Sequence, residues 1–408
     1  MSDKSKTFAS GLLFGVAMAT LVSIISINVA RGAFGGGDKS SPLTSDGSAL
    51  IDEEFESKTN TILSSIMTGL YEDLEAENLR DGMFKGLMDS LGDKYAAYYT
   101  ADEYYRVKQS TYSYIYGIGV VLSELSDRSG FVILKVYEDT PAEREGLIAG
   151  DVIKSADGLI TSGITLSELV SRVRGEEGTY VNLTVYRESE DLTFDVDVPR
   201  EKINVPTVYA DMADTDKNIG YIQISEFGGN TAEEFNESLD RLLSEGIEGL
   251  VIDLRNNPGG IVSAVEAVAD RLLPEGVIVY TEDRFGTTET ATSDANYLDL
   301  PMAVLVNGSS ASSAEILAGA LQDHEQATLI GEVTYGKGVV QVVKGLSDGS
   351  AIKYTGSRYL TPNKRNIDGV GIKPDIELEY EYTGSDESPF EYKYDNQINK
   401  AIEVLTEN

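Results

Sequence analysis

Ser312 sits between two apolar runs. Val304-Leu-Val-Asn-Gly-Ser-Ser-Ala-Ser-Ser-Ala-Glu-Ile-Leu-Ala-Gly-Ala-Leu321 reads as a strand, a Gly/Ser turn and an amphipathic helix. A hydroxyl at such a turn can act as a nucleophile, because a helix amino terminus offers unpaired N–H groups and a positive dipole end to a developing oxyanion. Serine is also a favoured N-cap, and this segment alone leaves both readings open. The usual activating partner is excluded. His324 is the only histidine, and it stands twelve residues further along the same helix, ~18 Å away at 1.5 Å per residue.

A lysine can take the proton instead if burial keeps it neutral. Lys337 lies in Gly331-Glu-Val-Thr-Tyr-Gly-Lys-Gly-Val-Val-Gln341, where flanking glycines permit close backbone approach. A solvated lysine in a glycine turn fits the same residues. The phosphate-loop pattern Gly-x-x-x-x-Gly-Lys also begins here, but Gly338 occupies the position that needs Ser or Thr, and a strand-like run follows where that loop requires a helix. A third segment, Leu250-Val-Ile-Asp-Leu-Arg-Asn-Asn-Pro-Gly-Gly260, is a buried-type strand ending in a glycine turn. It could present N–H groups to an anion or simply connect strand to helix. Asp214, Asp216 and Asn218 start like a calcium loop, yet Ile219 replaces its glycine and Ser225 its glutamate.

The elements that must position these residues alternate from Ile219 onward. Ile219–Ile224, Leu250–Leu254, Val277–Tyr280 and Ala303–Val306 read as strands; Ala232–Leu243, Val262–Leu273 and Ser312–Gln322 read as helices. Short strands at 327–331, 339–344 and 351–355 suggest an antiparallel extension. Residues 104–200 have a different texture, with strands at 118–122, 131–136, 151–154 and 181–186 and a helix at 166–173, which suits a small β-rich module. Ahead of it, Ile62, Leu63, Ile66, Met67, Leu70 and Leu74 repeat at helical spacing, and 79–91 forms a second helix. These are packing helices or a dimerisation arm.

Composition narrows the partners. Asp and Glu outnumber Lys and Arg 68 to 33, a net charge of −35 that repels phosphate backbones and makes nucleic acid an unsuitable partner. Cysteine is absent, so disulfides, thiolate metal sites and cysteine catalysis are excluded. A single histidine excludes a multi-histidine zinc site. Lys4 and Lys6 precede an apolar run at 8–30, long enough to span a bilayer. An uncleaved anchor is expected, with a cleavable signal peptide, which has a shorter apolar core and a cleaner small-x-small exit, as the alternative. The expected order is a cytoplasmic stub and transmembrane anchor at 1–31, a Gly/Ser-rich tether at 32–49, a helical region at 50–103, the β-rich module at 104–200, an α/β core with a mixed sheet and helices on its faces at 201–378, and an acidic extension at 379–408, either solvated or part of a dimer contact.

Taken together, Asp-Leu-Arg-Asn-Asn-Pro-Gly-Gly at 253–260, Ser-Ala-Ser-x-x-Glu-Ile at 310–316, Gly-Lys-Gly-x-x-Gln at 336–341 and Gly-Ile-x-Pro-Asp at 371–375 resemble the carboxyl-terminal processing peptidases, over about residues 60–378. The resemblance implies Ser312 as nucleophile, Lys337 as general base and Gln341 as the residue that orients it. It implies an oxyanion hole of backbone N–H groups from Ser313 and from Gly259 or Gly260. In a straight strand Lys337 and Gln341 would lie ~13 Å apart, so the chain must bend for the pair to meet. Where the family usually reads Ser-Ala-Ser-Ala-Ser-Glu, this chain has Ser310-Ala-Ser-Ser-Ala-Glu315, which makes Ser313 a neighbouring competitor.

The β-rich module resembles a PDZ domain, with Tyr116-Gly117-Ile118-Gly119 in the place of its carboxylate-binding loop and Thr140–Ile153 leading into its central strand. Such a domain adds a peptide as an extra strand and holds its terminal carboxylate with backbone N–H groups. The function this implies is cleavage of extracytoplasmic proteins with apolar C-terminal tails, in a bacterial cell envelope, by a membrane-anchored homodimer that needs no cofactor or metal. A regulated signalling protease that cuts one partner is a variant of this reading. A non-catalytic PDZ scaffold is the rival, against which the complete Ser, Lys and Gln set argues.

Overall fold

The computed structural model describes residues 50–71, 75–127, 129–385 and 390–407. Helix α1 (Glu53–Gly69) starts at Asp52, whose Oδ1 accepts the Phe55 N–H at 2.8 Å, and it buries none of its side chains. Helix α2 (Ala76–Asp89) buries only Met88. After the short strand β1 (Ala97–Tyr99) comes α3 (Ala101–Thr111), whose start is closed by a reciprocal Thr100–Glu103 capping box.

Strand β2 (Tyr114–Gly117) then enters the β-rich module. Its strands are β3 (Val120–Glu124), β4 (Phe131–Val136), β5 (Val152–Ala156), β6 (Leu159–Ile160), β7 (Tyr180–Arg187) and β8 (Leu192–Pro199), with helices α4 (Pro141–Arg144) and α5 (Leu166–Val173). They form an antiparallel sheet ordered β3-β4-β5-β7-β8, with β6 on β5. Ile133, Ile153, Leu169, Leu183 and Val185 fill a core of its own. The chain leaves through β9 (Glu201–Asn204), which pairs with β2 so that Gly117 faces Glu201 and Tyr114 faces Asn204. Entry and exit thus share a two-stranded stem.

The rest is the α/β core: β10 (Val208–Asp214), β11 (Ile219–Ile224), α6 (Thr231–Ser244), β12 (Gly249–Asp253), α7 (Val262–Leu272), β13 (Gly276–Asp283), β14 (Thr288–Ser293), β15 (Met302–Val306), α8 (Ser313–Asp323), β16 (Ala327–Gly331), β17 (Val339–Gly345), β18 (Ala351–Leu360), β19 (Ile376–Glu377) and α9 (Asn396–Thr406). The main sheet runs β10-β11-β12-β15-β16-β19, parallel throughout except for the β10–β11 pair. Its side chains alternate as a pleated sheet requires. Ile222, Ile252 and Val304 pack with α6, α7 and α8, while Tyr221, Val251 and Ala303 pack on the other face with Ile398, Ala401 and Ile402 of α9. Both faces are covered, as a largely parallel sheet demands.

Three expectations change. The 277–280 segment belongs to a second, antiparallel sheet (β1-β18-β13-β14, with β17 on β18), and 327–331 belongs to the parallel sheet instead of the antiparallel extension. Short apolar runs declare a strand but not its partner. The stretch 379–408 is not merely an acidic extension, since α9 seals the second face of the sheet. Among the described residues no helix is long and apolar enough to cross a membrane. The apolar run at 8–30 and the tether at 32–49 lie outside the described residues.

Candidate active site

Strand β15 delivers the chain to a turn at 307–312 that Ser310 holds in place. Its hydroxyl donates to Leu254 O at 2.8 Å and accepts the Asn307 N–H at 2.9 Å. Ser312 follows with φ 55° and ψ −115°, a conformation a non-glycine residue adopts only where its surroundings impose it. The Glu315 N–H donates to the Ser312 carbonyl at 2.8 Å. The main chain therefore satisfies this amide. Ser312 is half-buried, while Ser313 is fully buried with its hydroxyl on Gly260 O at 3.1 Å. The three serines thus have different surroundings that their letters do not reveal.

What holds the Ser312 N–H in place is Glu315, a fully buried carboxylate. Oε2 accepts the backbone N–H of Ser312 and of Lys337, each at 2.9 Å. Oε1 accepts the Thr334 hydroxyl at 2.5 Å and the Gly336 N–H at 2.7 Å. One carboxylate thereby binds the serine turn to the lysine loop, with four donors answering its buried charge. An acidic residue three positions after an N-cap serine is the available sequence signal, and it normally marks a capping box.

The lysine loop, 332–338, is braced from behind by the Gly371–Asp375 motif. Thr334 N–H donates to Ile372 O at 3.1 Å, Ile372 N–H to Thr334 Oγ1 at 2.7 Å and Gly369 N–H to Gly336 O at 2.9 Å. A Cβ on Gly336 would lie 2.8 Å from Gly371 N, and one on Gly338 would lie 2.6 Å from Asp368 N. Glycines flank Lys337 because the brace runs against them.

Lys337 is half-buried, and burial is the main cause that holds its ammonium below the ordinary lysine range. The positive charges of Lys353 and Lys94 act in the same direction, and Glu315 opposes them. Gln341 is not brought to it. Strand β17 starts at Val339 with a bulge between Val340 and Gln341, and the Gln341 amide donates to Val339 O at 3.4 Å. Among the described residues no hydrogen bond joins Gln341 to Lys337.

The glycine turn after β12 closes the site. A Cβ on Gly259, whose φ is 98°, would meet Ala311 O and Ser312 Cβ, each at 2.7 Å. The Gly259 N–H is committed to Asn257 Oδ1 at 2.8 Å, which sets it apart from Gly260 and from Ser313, the first residue of α8. The turn is anchored from below by Arg255, which pairs with Asp253 at 2.5 Å and with Asp395, the N-cap of α9, at 2.9 Å. All three are buried or nearly so, and mutual pairing is what makes such charges tolerable there.

In the β-rich module, Tyr116 and Gly117 belong to strand β2 and the stem, with Tyr116 stacked on Tyr105. Only Ile118 and Gly119 form the turn into β3. Ile118 O accepts the Ala142 N–H at 2.8 Å, and Gly119, at φ 88°, leaves no room for a Cβ against Thr140. Strand β3 is an edge of its sheet and lies beside α5.

Comparison with known proteins agrees with this anatomy. Residues 218–378 match the family profile described as "Peptidase family S41", and residues 117–198 match "PDZ domain". A "Carboxyl-terminal-processing protease" of Synechocystis sp. is 34% identical over 325 residues, covering 78% of this chain and 75% of the relative. One from Picosynechococcus sp. is 35% identical over 320 residues, covering 78% and 77%. The "Carboxy-terminal processing protease CtpA" of Bacillus subtilis is 33% identical over 330 residues, covering 80% and 70%. This chain therefore belongs to peptidase family S41, among its carboxyl-terminal processing proteases, and carries a PDZ domain.

Proposed function

We propose that this serine peptidase cuts proteins with apolar C-terminal tails through a dyad of Ser312 and Lys337. The observation that carries the reading is the Glu315 carboxylate, which binds the backbone of both residues through one oxygen. Neutral Lys337 takes the Ser312 proton as Oγ attacks the scissile carbonyl. The oxyanion is met by the N–H groups of Ser313 and Gly260, because Gly259 N–H already serves Asn257. The amine leaves with a proton returned by Lys337, and water then hydrolyses the acyl-enzyme. Gln341 must release Val339 O to orient Lys337, so its role is assigned to the substrate-bound site.

Substrate capture is assigned to the PDZ groove, where a tail adds to the β3 edge beside α5 and its carboxylate meets the N–H groups at Ile118–Gly119. The apolar run at 8–30 is read as the anchor that holds this assembly at the outer face of the membrane.

To test the dyad, the protein is treated with a serine-directed acylating probe and the adduct mapped by mass spectrometry. The adduct is expected on Ser312, and Lys337→Ala should remove it. An adduct on Ser313, or undiminished labelling in Lys337→Ala, would overturn the assignment. Helices α1 and α2 leave Ile62, Met67, Phe84 and Leu87 about half exposed or more, and we assign them to a homodimer contact. Analytical ultracentrifugation should give twice the chain mass, and a monomer at micromolar concentration refutes the contact.

A further inference from the structure

Residues 93–99, between α2 and α3, reach the active site. Asp93 pins this segment to β18: its Oδ1 accepts the Tyr95 N–H at 2.9 Å and the Thr355 hydroxyl at 3.0 Å, while Oδ2 accepts the Thr355 N–H at 2.6 Å. Next to it β1 pairs with the same strand, Ala97 facing Lys353 and Tyr99 facing Ala351. So fixed, the Tyr95 ring carries two ammonium groups. Lys337 Nζ lies 5.0 Å from its centroid and Lys94 Nζ 4.7 Å.

We propose that Tyr95 and Lys94 are positioning residues for Lys337, so that the helical N-terminal region, and not the peptidase core alone, builds the pocket of the catalytic base. This rests on the reading of Lys337 as that base. The ring acts in two ways. It fixes where the amine stands, and it displaces water that would otherwise solvate the charged form. Its cation–π attraction opposes the second effect, but one ring at a partly solvated site shifts the proton equilibrium only roughly fivefold at most. Lys94 acts by charge. It is exposed and keeps its proton, so an ammonium sharing its ring with the half-buried Lys337 makes Lys337 the one to give its proton up.

Other charged and titratable groups surround Lys337. Glu315 favours the charged form but is already occupied by four donors. Lys353, on β18 with its own ammonium 5.4 Å from the Tyr99 ring, disfavours it. Asp368 is turned to the Gly338 N–H at 3.2 Å, Tyr359 donates to Ser312 O at 3.2 Å, and the exposed Tyr335 stands on the same loop. None of these comes from the N-terminal region. Tyr95 and Lys94 are its contribution.

The test is the pH profile of kcat/KM on an apolar-tailed peptide, together with the rate of Ser312 acylation by a serine-directed probe, in the full chain. Tyr95→Leu and Lys94→Met are expected to move the acid limb of both profiles to higher pH and to slow both rates several-fold near neutrality. Tyr95→Phe, which keeps the ring, restores the wild-type limb. A wild-type urea-unfolding midpoint reports an intact peptidase core in each variant, and peptide binding to the PDZ domain, which has its own core, stays unchanged throughout. Lys94 is exposed, so Lys94→Met remains informative even where Tyr95→Leu folds poorly. An unmoved limb in Lys94→Met and Tyr95→Leu, with Lys337→Ala inactive, overturns this inference and leaves the dyad standing. A Lys337→Ala enzyme that keeps its rate and acid limb overturns the dyad as well.

Discussion

Replacing Glu315 by Gln should lower kcat by about 100-fold or more and destabilise the fold. The substitution is nearly isosteric, so it isolates charge and hydrogen-bond polarity from packing. The carboxylate accepts two donors on each oxygen, and all four come from the serine turn or the lysine loop. An amide keeps one acceptor oxygen and turns an NH2 group toward two of those donors. Each buried N–H left without an acceptor costs about 1–3 kcal/mol. The strained conformation at Ser312 loses the bond that holds its N–H, and the lysine loop loses its tie to the same atom. Urea denaturation and steady-state kinetics check the two halves of this prediction together. Wild-type turnover in a destabilised Glu315→Gln enzyme would show that the carboxylate serves the fold alone.

The second large effect belongs to Gly259→Ala. A Cβ there would lie 2.7 Å from both Ala311 O and Ser312 Cβ and 2.9 Å from Ser313 N, and φ is 98°. A methyl group at that point must push the serine turn away from the glycine turn or unwind one of them. The positive φ adds about 1–3 kcal/mol of backbone strain. The displaced atoms include both Ser312, the proposed nucleophile, and an amide assigned to the oxyanion, where a shift of about 1 Å costs on the order of 100-fold. Turnover should therefore fall at least that far. Gly82 in α2 has nothing within 4 Å of its added Cβ, and Gly82→Ala should match wild type in the same assay. Near-normal activity in Gly259→Ala would mean that the two turns do not form one rigid site.

Much of this arrangement was legible in the sequence, for reasons specific to each element. Strands β11 and β16 and helix α5 fall where apolar periodicity puts them, because their burial is local and regular. The serine turn and the glycine turn were readable because glycine and serine at a strand end leave few alternatives. Glu315 was not, since an acid in the first turn of a helix ordinarily completes a cap or faces water beside the dipole. Nothing in its neighbours shows that three donors would arrive from the 334–337 loop, the Thr334 hydroxyl and the N–H groups of Gly336 and Lys337. Gln341 was placed beside Lys337 by resemblance, and the strand geometry that keeps them apart here was visible as a length mismatch. Helix α9 carries a signal of its own within the 379–408 stretch. Ile398, Ala401, Ile402 and Leu405 recur at helical spacing within an acidic stretch, and all pack on the sheet. Tyr95 had none, because the contact is made by chain topology across a great separation in sequence.

The paired stem of β2 and β9 has a consequence for how such a chain can diversify. The β-rich module closes on its own core, and its two ends lie side by side where Gly117 faces Glu201. Tertiary insertions with adjacent ends place little demand on the host, whose layers stay continuous on either side. The PDZ domain and the peptidase core are therefore free to evolve at different rates: one cassette can be exchanged with the host scaffold inherited unchanged.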